Sequence, residues 1–305
     1  MDSGRLLILS DGKPGHLNQS IAFAKHLGCD YDICSVSFKN RLCKAASYLF
    51  DRCYLQFESL YRVAHFSGAY RAVLSAGSET YYANRVIASK LGIKSVAIML
   101  PKGYRYDFEL IVAQQHDDPP ERDNLVCLPI NLSYVEPKGL VAPESGHRYV
   151  SLIIGGDSKH SRLDPALLQR QVEEIFVLFP EHDFWLTTSR RTTLEVEAVL
   201  RQFNFSREVY YSEEQLNPIP DFLAHSEYVF LTADSTSMIS EAVSCGTACV
   251  EILSAGTGIA QGKIGRFLRN LSDGGYIHYF DGSLGNNDRK VNVSKTILAL
   301  KPGLN

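Results

Sequence analysis

Short apolar runs alternate with stretches of helical periodicity along this chain, and the whole pattern occurs twice. Residues 5–9 read as a strand, 18–27 as a helix stopped by Gly28, and 31–38 as a second strand. Residues 71–74, 93–100, 108–113 and 125–130 read as further strands, with a helix over 79–91 stopped by Gly92. The segment 135–147, with Pro137, Gly139, Pro143 and Gly146, has punctuation without periodicity and reads as a linker. The pattern then restarts, with strands over 149–154, 184–187, 228–232 and 248–253 and helices over 165–179, 192–203 and 235–244. Strand–helix alternation builds parallel sheets covered on both faces. The predicted fold is therefore α/β, with two Rossmann-like doubly wound domains, 1–135 and 148–285, facing each other across a cleft. Within 286–305, a last helix over 291–300 is expected to cross back to the first domain.

A chain of 305 residues is long enough for two domains. Its 45% hydrophobic and 21% charged residues exclude a disordered, collagen-like or coiled-coil chain. A net charge of −3 argues against nucleic acid as a partner, because neutralising phosphates takes a surplus of Lys and Arg. Seven cysteines, an odd number with no Cys-x-x-Cys pair, indicate neither a disulfide framework nor a structural metal site and fit a reducing compartment. The apolar run at residues 6–9 is too short for a signal-peptide core or a membrane span, so the cytoplasm is the expected location.

Doubly wound sheets bind ligands beyond the carboxyl ends of their strands, so chemistry is sought just after each one. After the first strand come Asp11, Gly12, Lys13, Gly15, His16, Asn18 and Gln19: a tight turn with a base and several donors, lacking the spacing of a phosphate P-loop. Asp11 is expected to be the base and His16 to contact the acceptor or developing charge, with Glu79 and Asp117 as the next candidates. In the second half, Gly155, Gly156, Ser158 and Lys159 follow a buried strand and suit a diphosphate held by backbone N–H groups and one positive charge. Ser189, Arg190 and Arg191 follow the next strand and resemble a phosphate clamp. Asp234, Ser235, Thr236, Ser237 and Met238 open a helix that carries Glu241, placed to accept hydrogen bonds from ribose hydroxyls. No metal and no cofactor is expected, since Arg and helix N-termini can offset leaving-group charge.

The runs Asp11-Gly12-Lys13-Pro14-Gly15-His16 with Asn18-Gln19, His116-Asp117-Asp118, Gly155-Gly156 with Ser158-Lys159-His160, Thr188-Ser189-Arg190-Arg191-Thr192, Asn217-Pro218, and Asp234 through Ala242 stand in the order found in the elongated-mitochondria (mitochondrial fission Elm) family. By these motifs, over roughly residues 5–285, the chain is identified as a bacterial-type member of that family, which comprises a plant mitochondrial-fission factor and many bacterial relatives. One departure is that Asn217-Pro218 runs into Ile219-Pro220, where the family usually has an aromatic residue.

The family in turn resembles GT-B nucleotide-sugar glycosyltransferases, including the peptidoglycan enzyme that adds N-acetylglucosamine to a lipid-linked precursor. That resemblance implies His16 near the acceptor and Gly155, Gly156, Ser158 and Glu241 on the nucleotide sugar. The implied activity is transfer of a sugar from a nucleotide-sugar donor to a cell-envelope glycan or lipid-linked acceptor. A nucleotide-sugar epimerase and a non-enzymatic membrane-recruitment factor are the alternatives. Residues 38–66 interleave Lys39, Arg41, Lys44, Arg52 and Arg62 with Tyr48, Phe50, Tyr54, Phe57, Tyr61 and Phe66, which suits either peripheral contact with anionic lipid at the inner membrane or a helix buried against the first sheet.

Overall fold

A computed structural model of the protein describes residues 4–158, 161–257 and 262–300. The chain forms two compact units, one running to Tyr134 and resuming at Asn292, the other running Val135–Val291.

The first unit contains β1 (Arg5–Ser10), α1 (Pro14–Leu27), β2 (Tyr31–Phe38), α2 (Arg41–Arg52), β3 (Tyr61–Val63), β4 (Tyr70–Ala76), α3 (Tyr81–Leu91), β5 (Lys94–Ile98), β6 (Leu110–Gln114) and β7 (Leu125–Leu128). Its sheet has the order β3-β2-β1-β4-β5-β6-β7, parallel throughout except for β3, which pairs antiparallel with β2. Leu6 to Leu9 are buried without alternation, as expected for a central strand with helices on both faces. The order reverses between β1 and β4, so the loops after these two strands border the crevice where such sheets bind ligands.

The second unit contains β8 (Tyr149–Ile154), β9 (Arg162–Leu163), α4 (Pro165–Leu178), β10 (Asp183–Thr188), α5 (Leu194–Leu200), β11 (Arg207–Val209), α6 (Ile219–His225), β12 (Ser226–Thr232), α7 (Thr236–Ala242), β13 (Cys249–Leu253), β14 (Gly256–Thr257), α8 (Gly262–Asp273) and β15 (His278–Tyr279). Its six-stranded sheet, β11-β10-β8-β12-β13-β15, is wholly parallel and reverses between β8 and β12; β9 and β14 form a separate antiparallel pair. A last helix, α9 (Val293–Ala299), packs on α1 of the first unit, where the Ser294 hydroxyl meets His26 Nδ1 at 2.9 Å.

Two local readings change. Helix α1 begins at Pro14 rather than at residue 18, because proline's fixed φ and missing N–H suit the first helical position; Asn18 is thus an exposed residue inside the helix. The segment 135–147 belongs to the second unit and is tied down there. The buried Asp221 carboxylate accepts from the N–H groups of Lys138, Gly139, Leu140 and Val141 at 2.7–3.2 Å. Among the described residues no helix is long and apolar enough to cross a membrane.

Candidate functional site

In the second unit, a pocket of about 260 Å³ opens at the carboxyl ends of β8 and β10, beside the strand-order reversal. Ile153 and Ile154 of β8 form one wall, and Thr187 to Arg190 at the end of β10 form another. Met238 and Glu241 enter from α7, and Tyr211, Leu216, Asn217 and Ile219 complete the lining. Burial raises the Glu241 carboxyl to about 7, because an ionised carboxylate loses hydration there. Among the described residues no donor reaches it.

Behind this pocket the expected phosphate turn has a different task. The N–H of Gly155 donates to Thr232 Oγ1 (2.7 Å), that of Gly156 to Asp234 Oδ2 (3.1 Å), that of Asp157 to the Arg191 carbonyl (3.2 Å), and that of Ser158 to the Ser161 carbonyl (2.8 Å). These amides are already satisfied, so the expectation that they hold a diphosphate is corrected; Lys159 lies outside the described residues. The glycines are needed for close approach instead. A Cβ on Gly155 would stand 2.3 Å from the Asp234 carboxylate, and one on Gly156 would stand 2.0 Å from the Arg191 carbonyl oxygen.

The paired arginines divide in the same way. Arg191 Nη2 donates to the buried Asp234 Oδ2 at 2.7 Å while Nη1 reaches the carbonyls of Gly156 and Asp157, so Arg191 staples two loops and is not available as a clamp. Arg190 lines the pocket and forms no ion pair among the described residues. Ser189 reaches the pocket but also bonds Thr192, Ser235 caps α7 by accepting from the Met238 N–H, and Ser237 is exposed. Thr236 occupies the first helical position of α7.

Sequence reasoning missed the wall supplied by Tyr211, Leu216, Asn217 and Ile219. Tyr211 follows a three-residue strand too short to show periodicity, and Asn217-Pro218 was visible only as a motif. The wall is braced by Glu197, whose buried carboxylate accepts from the hydroxyls of Thr188 (3.2 Å) and Ser212 (2.7 Å), while the Tyr211 N–H donates to Thr188 Oγ1 (2.9 Å).

In the first unit, the loop after β1 and the start of α1 bring Asp11 and His16 together, Oδ2 to Nδ1 at 2.9 Å. Burial raises the Asp11 carboxyl, but the Lys13 N–H, His16 and the Lys13 ammonium outweigh it and hold the group below its ordinary value. A carboxylate held this way accepts protons poorly. Asp11 orients His16 instead: accepting the Nδ1 proton leaves the lone pair on Nε2 of a ring still 23% exposed. The contact makes Asp11 the partner of His16 rather than a free carboxylate. Gly12 forms the turn, Gly15 lies in the first turn of α1, and the Gln19 carboxamide is buried against Gln114 at 3.2 Å. Glu79 is paired with Lys44, and Asp117 with Lys102 at 2.9 Å, so the reserve bases are both neutralised. Among the described residues no three His, Cys, Asp or Glu side chains converge as a metal site would require.

The family model described as mitochondrial fission ELM1 matches residues 14–298. The chain belongs to that family. The chain is also similar to "Uncharacterized protein RP120" of Rickettsia prowazekii (strain Madrid E), 24% identical over 289 residues, covering 78% of this chain and 80% of the relative. Among solved structures, this ELM1-family chain is similar to Acinetobacter baumannii MurG, with TM-score 0.51 and 10% identity over 98% of this chain and 99% of that one. It is similar to the same degree, TM-score 0.51 and 10% identity, to a Listeria monocytogenes protein described as a UDP-N-acetylglucosamine 2-epimerase, over 98% of this chain and 87% of that one. At such identities the likeness shows the fold, which is of the GT-B type.

Proposed function

We propose that the protein is a nucleotide-sugar glycosyltransferase that delivers a sugar to a cell-envelope glycan or lipid-linked acceptor. The observation that carries this reading is the second-unit pocket, where a guanidinium without an ion pair and a desolvated carboxyl without a donor, among the described residues, border one space at a strand-order reversal. Those two groups match the two ends of a nucleoside diphosphate. Arg190 offsets the phosphate charge that grows as the sugar–oxygen bond breaks, and Glu241 accepts hydrogen bonds from the ribose hydroxyls. In the first unit, His16 Nε2 takes the proton of the acceptor hydroxyl as its oxygen bonds to the anomeric carbon, with Asp11 fixing the tautomer. No metal enters the reaction read this way.

The fold shared with a protein described as a UDP-N-acetylglucosamine 2-epimerase supports a uridine diphosphate sugar as the first donor to try. Seven free thiols support a reducing, cytoplasmic setting. The test is a thermal-shift screen of nucleotide sugars and free nucleotides, since a ligand that binds only the folded state raises the melting temperature. It is followed by product analysis with and without acceptor glycolipids. Stabilisation with sugar transfer supports the reading. Epimerised donor without transfer replaces it with an epimerase, and no nucleotide binding at all overturns it.

A further inference from the structure

Helix α2 packs Tyr48 and Phe50 part-buried against the core yet keeps an apolar stripe on its outer face. Of its twelve residues only Ser47 and Asp51 are buried, and both are polar. The Asp51 carboxylate accepts from Arg85 Nη1 and from the Arg105 N–H, each at 2.8 Å, and the Ser47 hydroxyl meets Tyr104 OH at 2.9 Å. The outward stripe is apolar. Leu42 and Leu49, seven residues apart and so on one face, are 80% and 61% exposed. The chain then leaves the helix into Tyr54, 72% exposed with Arg105 over its ring, followed by the exposed Leu55 and Phe57.

The charges around this stripe are one-sided. Lys39, Arg41, Arg52 and Arg62 are exposed and make no ion pair among the described residues. The two acidic residues of the same stretch are already used, Asp51 by Arg85 and Glu58 by Lys90 at 2.7 Å. Large apolar side chains projecting among uncompensated cations match the charge and layering of an anionic bilayer surface, where apolar groups enter the acyl boundary and cations meet lipid phosphates.

We propose that residues 39–62 are a docking surface for an anionic phospholipid membrane. This surface belongs to the first unit, whereas the pocket is formed within the second, and the proposal does not depend on the reaction assigned to the protein. The experiment is flotation of the whole chain with vesicles of phosphatidylcholine alone or mixed with phosphatidylglycerol. It is run for the wild type, Leu42→Ser with Leu49→Ser, and Arg41→Glu with Arg52→Glu. These side chains are exposed and, among the described residues, make no hydrogen bond or ion pair, so unchanged melting temperatures are expected and certify that each variant is folded. The wild type is expected to float with the mixed vesicles, to stay behind with the neutral ones, and to release at high salt. Each pair of substitutions is expected to lower partition at least about fivefold. Equal binding to neutral and anionic vesicles, or binding unchanged in both variants, overturns the proposal. So does concentration-dependent self-association that the leucine variant abolishes in a chain that binds no vesicles, since a second copy would then cover the face.

Discussion

The imidazole of His16 lies against the bare backbone of Gly77, where an added Cβ would stand 2.3 Å from Nδ1 and 2.4 Å from Cε1. The ring is thus held between the Asp11 carboxylate and the loop after β4. Gly77 also has φ +89, so a side chain there is strained as well as obstructed. Gly77→Ala must displace the ring from this position. It is expected to lower turnover at least about tenfold, and His16→Ala about a hundredfold or more. Nucleotide-induced thermal stabilisation is expected to be unchanged in both, since the pocket is formed within the other unit. Loss of nucleotide binding in either variant would refute this assignment.

Adjacent arginines are expected to fail in different ways. Arg191→Ala leaves the buried Asp234 carboxylate without its cation, a change of about 3–5 kcal/mol measurable by urea denaturation. Arg190→Ala removes only a pocket wall, so unfolding stays within about 0.5 kcal/mol of wild type while nucleotide affinity drops about tenfold or more. The reverse pattern would exchange their roles.

Glu241 predicts a pH dependence. Its folded pKa of about 7 lies above the ordinary 4.5, so between those values the folded chain holds more protons than the unfolded one. Stability from this group therefore falls as pH rises through that window, by on the order of 3 kcal/mol in all. Glu241→Gln is expected to flatten that slope. Nucleotide affinity is expected to rise with pH through 7 in the wild type, since ribose hydroxyls favour the ionised carboxylate, and to stay level in the glutamine variant. Calorimetric titration across pH checks both chains.

Asp221 is the anchor of the segment that enters the second unit. Burial raises its carboxyl, yet four backbone N–H groups hold it below the ordinary carboxylate value. Its contribution is therefore full above the unfolded pKa and lost as pH falls through the lower folded one. Asp221→Asn replaces an acceptor by an amide N–H pointing at backbone donors, and an unfolding cost of about 3 kcal/mol is expected. A cost under about 1 kcal/mol in urea melts would mean the segment is held by packing instead.

The doubly wound sheets were readable in the sequence because buried parallel strands such as 6–9 and 149–154 are continuous apolar runs, and because Gly28 and Gly92 mark where helices stop. The same logic placed Arg190, Met238 and Glu241 just after strands, and all three line one pocket. What a residue does once placed was decided by partners distant in sequence. Gly155-Gly156 has the look of a phosphate turn, but its amides are taken by Thr232 and Asp234, more than seventy residues away. Arg190 and Arg191 are equivalent as letters, and only the position of Asp234 makes one a staple and leaves the other free. The spacing of basic and aromatic residues across 38–66 suited a helix but left open which face turns inward. Arg85, Tyr104 and Arg105 provide polar partners on the inner side, so Asp51 is buried and Leu42 and Leu49 are left outside. Apolar patterning is local and therefore legible, whereas hydrogen-bond satisfaction is settled between segments that meet only when the chain has folded.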